Sequence, residues 1–96
     1  QSTRAIKIIE GHRINFVLVD SPDGKLEKMS AAPHERFLYI ISGAADSEIE
    51  GEKKSVRSGD LLHVPKGSSY SLMTKVGPTR YCYFESTDFL EAQIKE

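Results

Sequence analysis

The chemistry open to this chain is concentrated in a few side chains. The run Pro33-His34-Glu35-Arg36-Phe37-Leu38-Tyr39-Ile40-Ile41 holds several of them. Arg36 heads an apolar stretch with a charge that no protein environment removes. A guanidinium binds carboxylate or phosphate through two parallel hydrogen bonds. His34 is the best-placed base near neutral pH, because imidazole titrates there. Side chains of a strand alternate between faces with a period of two, so His34 and Arg36 would share a face. Pro33 just ahead could introduce a bulge, which leaves the direction of His34 open. Further along, Tyr81, Tyr83 and Glu85 fall on one face of a second apolar run, with Cys82 on the other. A lone cysteine in such a run reads as packing, not as a nucleophile. One cysteine permits no internal disulfide and no cysteine-based zinc site. No phosphate-cradling glycine loop, Gly-x-Ser-x-Gly elbow or nucleotide-binding fingerprint is present.

These groups need a scaffold, and the turn punctuation shows which kind. Glu10-Gly11, Pro22-Asp23-Gly24, Ala32-Pro33, Ser42-Gly43, Glu50-Gly51, Ser58-Gly59-Asp60, Pro65-Lys66-Gly67 and Gly77-Pro78 interrupt the chain at short intervals. Between them lie runs rich in β-branched and aromatic residues at 5–9, 14–19, 37–41, 61–64, 70–73 and 80–84. Weaker runs lie at 44–49 and 54–57. Short strands at even spacing predict an all-β sandwich or barrel. Only 87–96 reads as a helix, with Phe89, Leu90 and Ile94 near one face and Ser86 or Thr87 as cap.

With 96 residues the chain has room for one domain, spanning 1–96. Its 13 basic and 14 acidic side chains nearly cancel, so no net field draws it to nucleic acid or to a membrane surface. No apolar run is long enough to cross a bilayer. With a single cysteine and no apolar signal segment, the default reading is a cytoplasmic protein. The sequence starts at Gln1, however, so a removed leader stays open.

The stretch from Met29 to Tyr70 resembles the two-part signature of the cupins, small β-barrels that usually hold a metal. That family's first motif runs Gly, spacer, His-x-His, a few residues, Glu, six residues, Gly. Gly43 takes the closing Gly, and counting back places Arg36 at the Glu and Ala32 and Ser30 at the two His. The second motif runs Gly, five residues, Pro-x-Gly, two residues, His. Gly59, Pro65 and Gly67 match it, and Tyr70 takes the His position. The resemblance implies a cupin-type double-stranded β-helix, a jelly-roll barrel, here with a short C-terminal helix. Gly43 and Gly59 then serve tight turns and Pro65 ends a strand, so Gly59 is expected to matter more to folding than to recognition.

By the same resemblance Arg36 and Tyr70 point into the barrel with Leu38, Ile40 and Leu72, and Ser30 and Ala32 line the same space. The usual imidazoles and carboxylate are replaced by a hydroxyl, a methyl, a guanidinium and a phenol. That set repels a cation, so no metal and no other cofactor is expected. A displaced site built from His12, His34, His63 and Glu35 is the alternative. The reading that follows is a pocket for a small molecule, carboxylate- or phosphate-bearing, with Arg36, Ser30, Leu38 and His63 binding it. His34 and Tyr70 would carry acid–base chemistry of isomerase, dehydratase or cyclase type. The guanidinium would favour ionised Tyr70. His63, just before Val64-Pro65, also has a structural reading. An internal acid, Glu35 or Glu85, could instead neutralise Arg36. The competing function is a non-catalytic sensory or scaffold domain. Phe37, Tyr39 and Ile41 on the outer face make a homodimer the default, unless the terminal helix covers them.

Overall fold

The computed structural model describes residues 4–22, 24–74 and 77–86. Within them the strands, in chain order, are β1 (Arg4–Glu10), β2 (Ile14–Ser21), β3 (Leu26–Met29), β4 (Arg36–Ser42), β5 (Ala44–Ile49), β6 (Glu52–Arg57), β7 (Leu61–Val64), β8 (Tyr70–Thr74) and β9 (Thr79–Ser86). They form a five-stranded sheet in the order β1-β2-β9-β4-β7 and a four-stranded sheet in the order β3-β8-β5-β6. Every pairing is antiparallel. The described residues contain no helix, and the helix expected over 87–96 lies outside them.

Binary patterning decides which face of each sheet is buried. Along β4 the residues alternate buried and exposed from Arg36 to Ile40, and β7 alternates in the opposite phase. The inner faces meet in one core: Val17, Val19, Leu38, Ile40, Leu62, Val64 and Tyr81 from the larger sheet pack against Ala45, Val56, Tyr70 and Leu72 from the smaller. Phe37, Tyr39 and Ile41 face outward, at 37%, 41% and 39% exposure. The strand runs legible in the sequence match the observed ones within a few residues. β3 is the exception. It is a four-residue edge strand carrying Glu27 and Lys28, and it owes its conformation to pairing with β8, not to its own composition.

Two turns show why particular residues stand where they do. Glu50 and Gly51 close the β5–β6 hairpin with φ of 52° and 79°. Two consecutive positive φ values are the geometry that matches a hairpin's twist. Gly43 alone joins β4 of one sheet to β5 of the other, at φ 91°. A Cβ there would lie 2.7 Å from the Pro78 carbonyl oxygen and 2.9 Å from Thr79 Cα. Gly59, at φ 94°, has open space around its would-be Cβ.

Gly43→Ala should therefore cost about 3 kcal/mol or more, from backbone clash added to positive φ. Gly59→Ala should cost only the positive-φ term, about 1–2 kcal/mol. Urea midpoints compare the two, and equal losses would contradict the special role of the Gly43 corner.

Candidate functional site

Arg36 starts β4 with its side chain turned into the barrel and only 2% exposed. Its Nη2 donates to two main-chain carbonyls, Ser30 O at 2.9 Å and Ser68 O at 2.7 Å. The guanidinium lies over the ring of Tyr70, 5.0 Å from its centroid, within cation–π range. Among the described residues no carboxylate comes within ion-pairing distance of it. Its Nε is buried and has no hydrogen-bond partner. An unpaired buried cation is costly, so this arrangement must be held in place by its surroundings.

The surroundings are two loops and a hairpin tip. Gly67 N donates to Ala32 O at 2.8 Å, which ties the loop before β4 to the loop before β8. Ser68, 4% exposed, donates its hydroxyl to Glu50 Oε2 at 2.6 Å. The carbonyl of the same Ser68 holds Arg36. Glu50, the one non-glycine with positive φ among the described residues, thus anchors the support of the guanidinium.

Tyr70 opens β8 and is 4% exposed; its hydroxyl is buried with no partner. Burial pushes its pKa well above the ordinary value of 10.0, with Tyr81 adding to the rise and Arg36 opposing it more weakly. The expectation of an ionised Tyr70 is thus corrected: desolvation outweighs the guanidinium, and the group stays a hydrogen-bond donor. Burial likewise raises Tyr81, with Glu27 reinforcing it, and Tyr83, with Glu85 reinforcing it.

β9 brings in what the sequence reading left at the margin. Glu85 sits directly across from Arg36 in the β4–β9 register, and Tyr83 across from Leu38. Glu85 does not neutralise Arg36. It faces His34, whose Nε2 lies 3.0 Å from Glu85 Oε2 without the alignment of a good hydrogen bond. Their side chains are 23% and 25% exposed, so the pair forms a rim above the buried Arg36–Tyr70 contact. The alternation of Tyr81, Tyr83 and Glu85 signalled this face. Only the strand pairing shows that it faces β4.

The expected site residues separate into two groups. His34, Arg36, Leu38 and Tyr70 gather at one end of the barrel, with Leu38 fully buried. Ser30 belongs there too, but through its carbonyl; the residue itself is exposed. His63 does not belong. It is on the outer face of β7, 2.8 Å from Glu35 and stacked on Phe37 at 4.9 Å. Position 63 pairs with position 37 across β4–β7, and both alternate outward. Its predicted role in the pocket is therefore withdrawn, and with Glu35 it takes no part in balancing Arg36. Open hollows of about 440 and 470 Å³ lie outside the core. The first lies along the outer side of the smaller sheet, around Leu26, Lys54 and Met73, and the second beside Ser30 and Tyr70.

The donor set does not suit a transition metal. Such an ion needs neutral imidazoles and carboxylates converging on one point. Here a permanent cation occupies that point, and among the described residues no three His, Cys, Asp or Glu side chains converge. Of the alternative set, His34 lies against Glu85, and His63 lies against Glu35 on the outer side of β7. Nor is any helix of the described residues long and apolar enough to cross a membrane.

Tyr70→Phe should leave the unliganded protein as stable as the parent or up to about 1 kcal/mol more stable, since it removes an unpartnered buried hydroxyl. The raised tyrosines add a pH effect. Above the ordinary value of 10.0 the unfolded chain loses tyrosine protons that the folded chain keeps. Stability is then fully present below that pH and falls as pH climbs toward the folded values. Tyr70→Phe should make that fall shallower. Denaturant midpoints at neutral and alkaline pH measure both effects. A marked loss of stability in the variant at neutral pH would mean the hydroxyl is bonded.

No protein-family model matches the sequence, and no curated protein sequence does. Solved structures do share its architecture. The cupin domain of Cnp3 from Schizosaccharomyces pombe is 18% identical, with a TM-score of 0.80 over 97% of this chain and 69% of that one. An RmlC-like cupin from Shewanella frigidimarina is 17% identical, with a TM-score of 0.77 over 83% and 72%. The DMSP lyase DddQ from Ruegeria pomeroyi is 22% identical, with a TM-score of 0.74 over 81% of this chain and 40% of the enzyme. These likenesses show the fold, the two-sheet jelly roll of the cupins.

Proposed function

We propose that this chain, a cupin superfamily protein by its fold, is a metal-independent receptor for a small anionic molecule, anchored in the barrel by Arg36. One observation carries the reading. The guanidinium is buried and faces a buried phenol, yet no described carboxylate pairs with it. An anionic ligand supplies the missing charge and an acceptor for the Arg36 Nε and Tyr70 hydroxyl protons. A few convergent polar groups set against an apolar core are the usual make-up of a small-molecule site.

The rim gives this receptor acid–base capability. His34, with its Nε2 3.0 Å from Glu85 Oε2, is placed to act as a general base. In an isomerisation His34 would take a proton from one ligand atom and return it to another, with Tyr70 donating a hydrogen bond to the oxygen where charge accumulates. A structural neighbour that is a lyase supports catalysis on this fold. Fold alone does not decide it.

A second reading has its own support. Arg36 Nη2 bridges the loops that contain Ser30 and Ser68, as a clamp in a purely structural or sensory domain would. Arg36→Met separates the two. On the receptor reading the variant folds with stability within about 1 kcal/mol of the parent, because a well-packed apolar chain replaces an uncompensated charge. Its melting temperature no longer rises with the carboxylated or phosphorylated metabolites that stabilise the parent. Loss of about 3 kcal/mol or more, with no metabolite stabilising the parent, would establish the clamp.

A further inference from the structure

Resting on the receptor reading, we infer that the ligand is a short monocarboxylate with an apolar body, and that the barrel discriminates against phosphates. The argument is one of charge balance and donor count. Of the lysines and arginines whose burial is described, Arg36 alone is buried. Lys25 is half-buried, but at the far end of β8, where its main-chain nitrogen bonds to Thr74. Arg13, Lys28, Lys53, Lys54, Arg57, Lys66 and Arg80 are exposed. Lys28 lines the open hollow beside Ser30 and Tyr70, but its charge stays in water and is balanced there by Glu48 and Glu50, so among the described residues Arg36 supplies the one buried positive charge.

The titratable groups around that charge leave no surplus. Glu85, across the strand pair from Arg36, is acidic, and the charge His34 gains on protonation faces Glu85 at 3.0 Å. Tyr70, Tyr81 and Tyr83 remain neutral at physiological pH, and Glu85 acts on both Tyr70 and Tyr83. A carboxylate brings one negative charge, which Arg36 matches. A phosphate monoester brings about 1.5 to 2 negative charges near neutral pH. Its excess would sit beside Glu85 in a poorly solvated pocket, where like charges oppose each other strongly.

The donors give the same answer. Two buried donors lack an acceptor here, Arg36 Nε–H and Tyr70 O–H. A carboxylate, with two oxygens, satisfies both. A phosphate presents three charged oxygens, and the third would be desolvated without a partner. Below this polar end lies the packed apolar core of Leu38, Leu72, Val64 and Val17, with Met29 and Tyr83 against it. Nothing there rewards a second charge or a hydroxyl-rich body, so the rest of the ligand is apolar. Arg36 Nε and Tyr70 Oη are both buried from solvent. The half-buried rim at Met29, His34 and Tyr83 must shift as a ligand comes in.

Calorimetry on the full chain with sodium butanoate, sodium hexanoate and inorganic phosphate tests this. The expected result is binding of butanoate and hexanoate, and inorganic phosphate at least about tenfold weaker. Tyr70→Phe, which keeps the charge and loses one donor, should weaken butanoate about tenfold. Glu85→Gln should narrow the gap between phosphate and butanoate by removing the acidic neighbour. Circular dichroism and melting confirm that each variant is folded. Phosphate binding as tightly as butanoate, abolished by Arg36→Met, would overturn the monocarboxylate assignment and leave the anion receptor standing. Butanoate bound equally by the parent and Tyr70→Phe would overturn it too. A parent that binds none of the three probes would defeat this inference. The receptor reading itself falls only if the wider metabolite screen is also silent.

Discussion

A single buried positive charge organises this protein. Arg36 sits inside a β-barrel with two carbonyl oxygens and an aromatic face for company, and no described carboxylate pairs with it. Such a group is tolerated only where the fold over-determines its position, because desolvating an ion costs more than two neutral hydrogen bonds return. On the proposed reading the charge also sets what the site can hold. It occupies the place where a cation would need ligands, and it leaves two donors facing inward with nothing to accept them. The fold and the site are thus linked through one side chain.

The scaffold around the guanidinium is built from features that make sense only together. β4 and β9 pair so that Arg36 and Glu85 are opposite each other, and the acid is drawn to His34 at the rim. The Ser68 carbonyl reaches Arg36 because the Ser68 hydroxyl is held by Glu50, at the tip of a hairpin whose backbone is left-handed at that residue. A non-glycine in that conformation carries a local cost, and the bond to Ser68 helps offset it. Local strain, a loop-to-loop contact and the site's electrostatics meet in the same few atoms.

Much of this was legible in the sequence. The glycines, Pro65 and the apolar runs announced a small jelly roll, and Gly43, Gly59 and Tyr70 fell at motif positions that pointed Arg36 and Tyr70 toward each other. Period-two alternation placed Leu38 and Ile40 correctly beneath Arg36. What stayed hidden depends on pairing between distant strands. The motif placed Arg36 inside, but position 63 pairs with outward-facing Phe37 across β4–β7, which needs the register to see. Glu85 was visible as a face-sharing neighbour of Tyr81 and Tyr83, but its place across from Arg36 was not. β3 carries too few apolar residues to signal itself. The protonation of Tyr70 turned on burial, which is a property of the packed core; the motif offers only the nearby charge.

The most direct test of the central claim is to watch the Arg36 Nε–H itself. In the ¹⁵N spectrum of arginine side chains, with the resonance assigned by its loss in Arg36→Met, butanoate should shift the Arg36 Nε–H signal strongly and slow its exchange with water. The exposed Arg57 and Arg80 should barely respond. An unmoved Arg36 signal, with a bound ligand registering on another arginine, would contradict the account and leave the buried guanidinium as part of the framework alone.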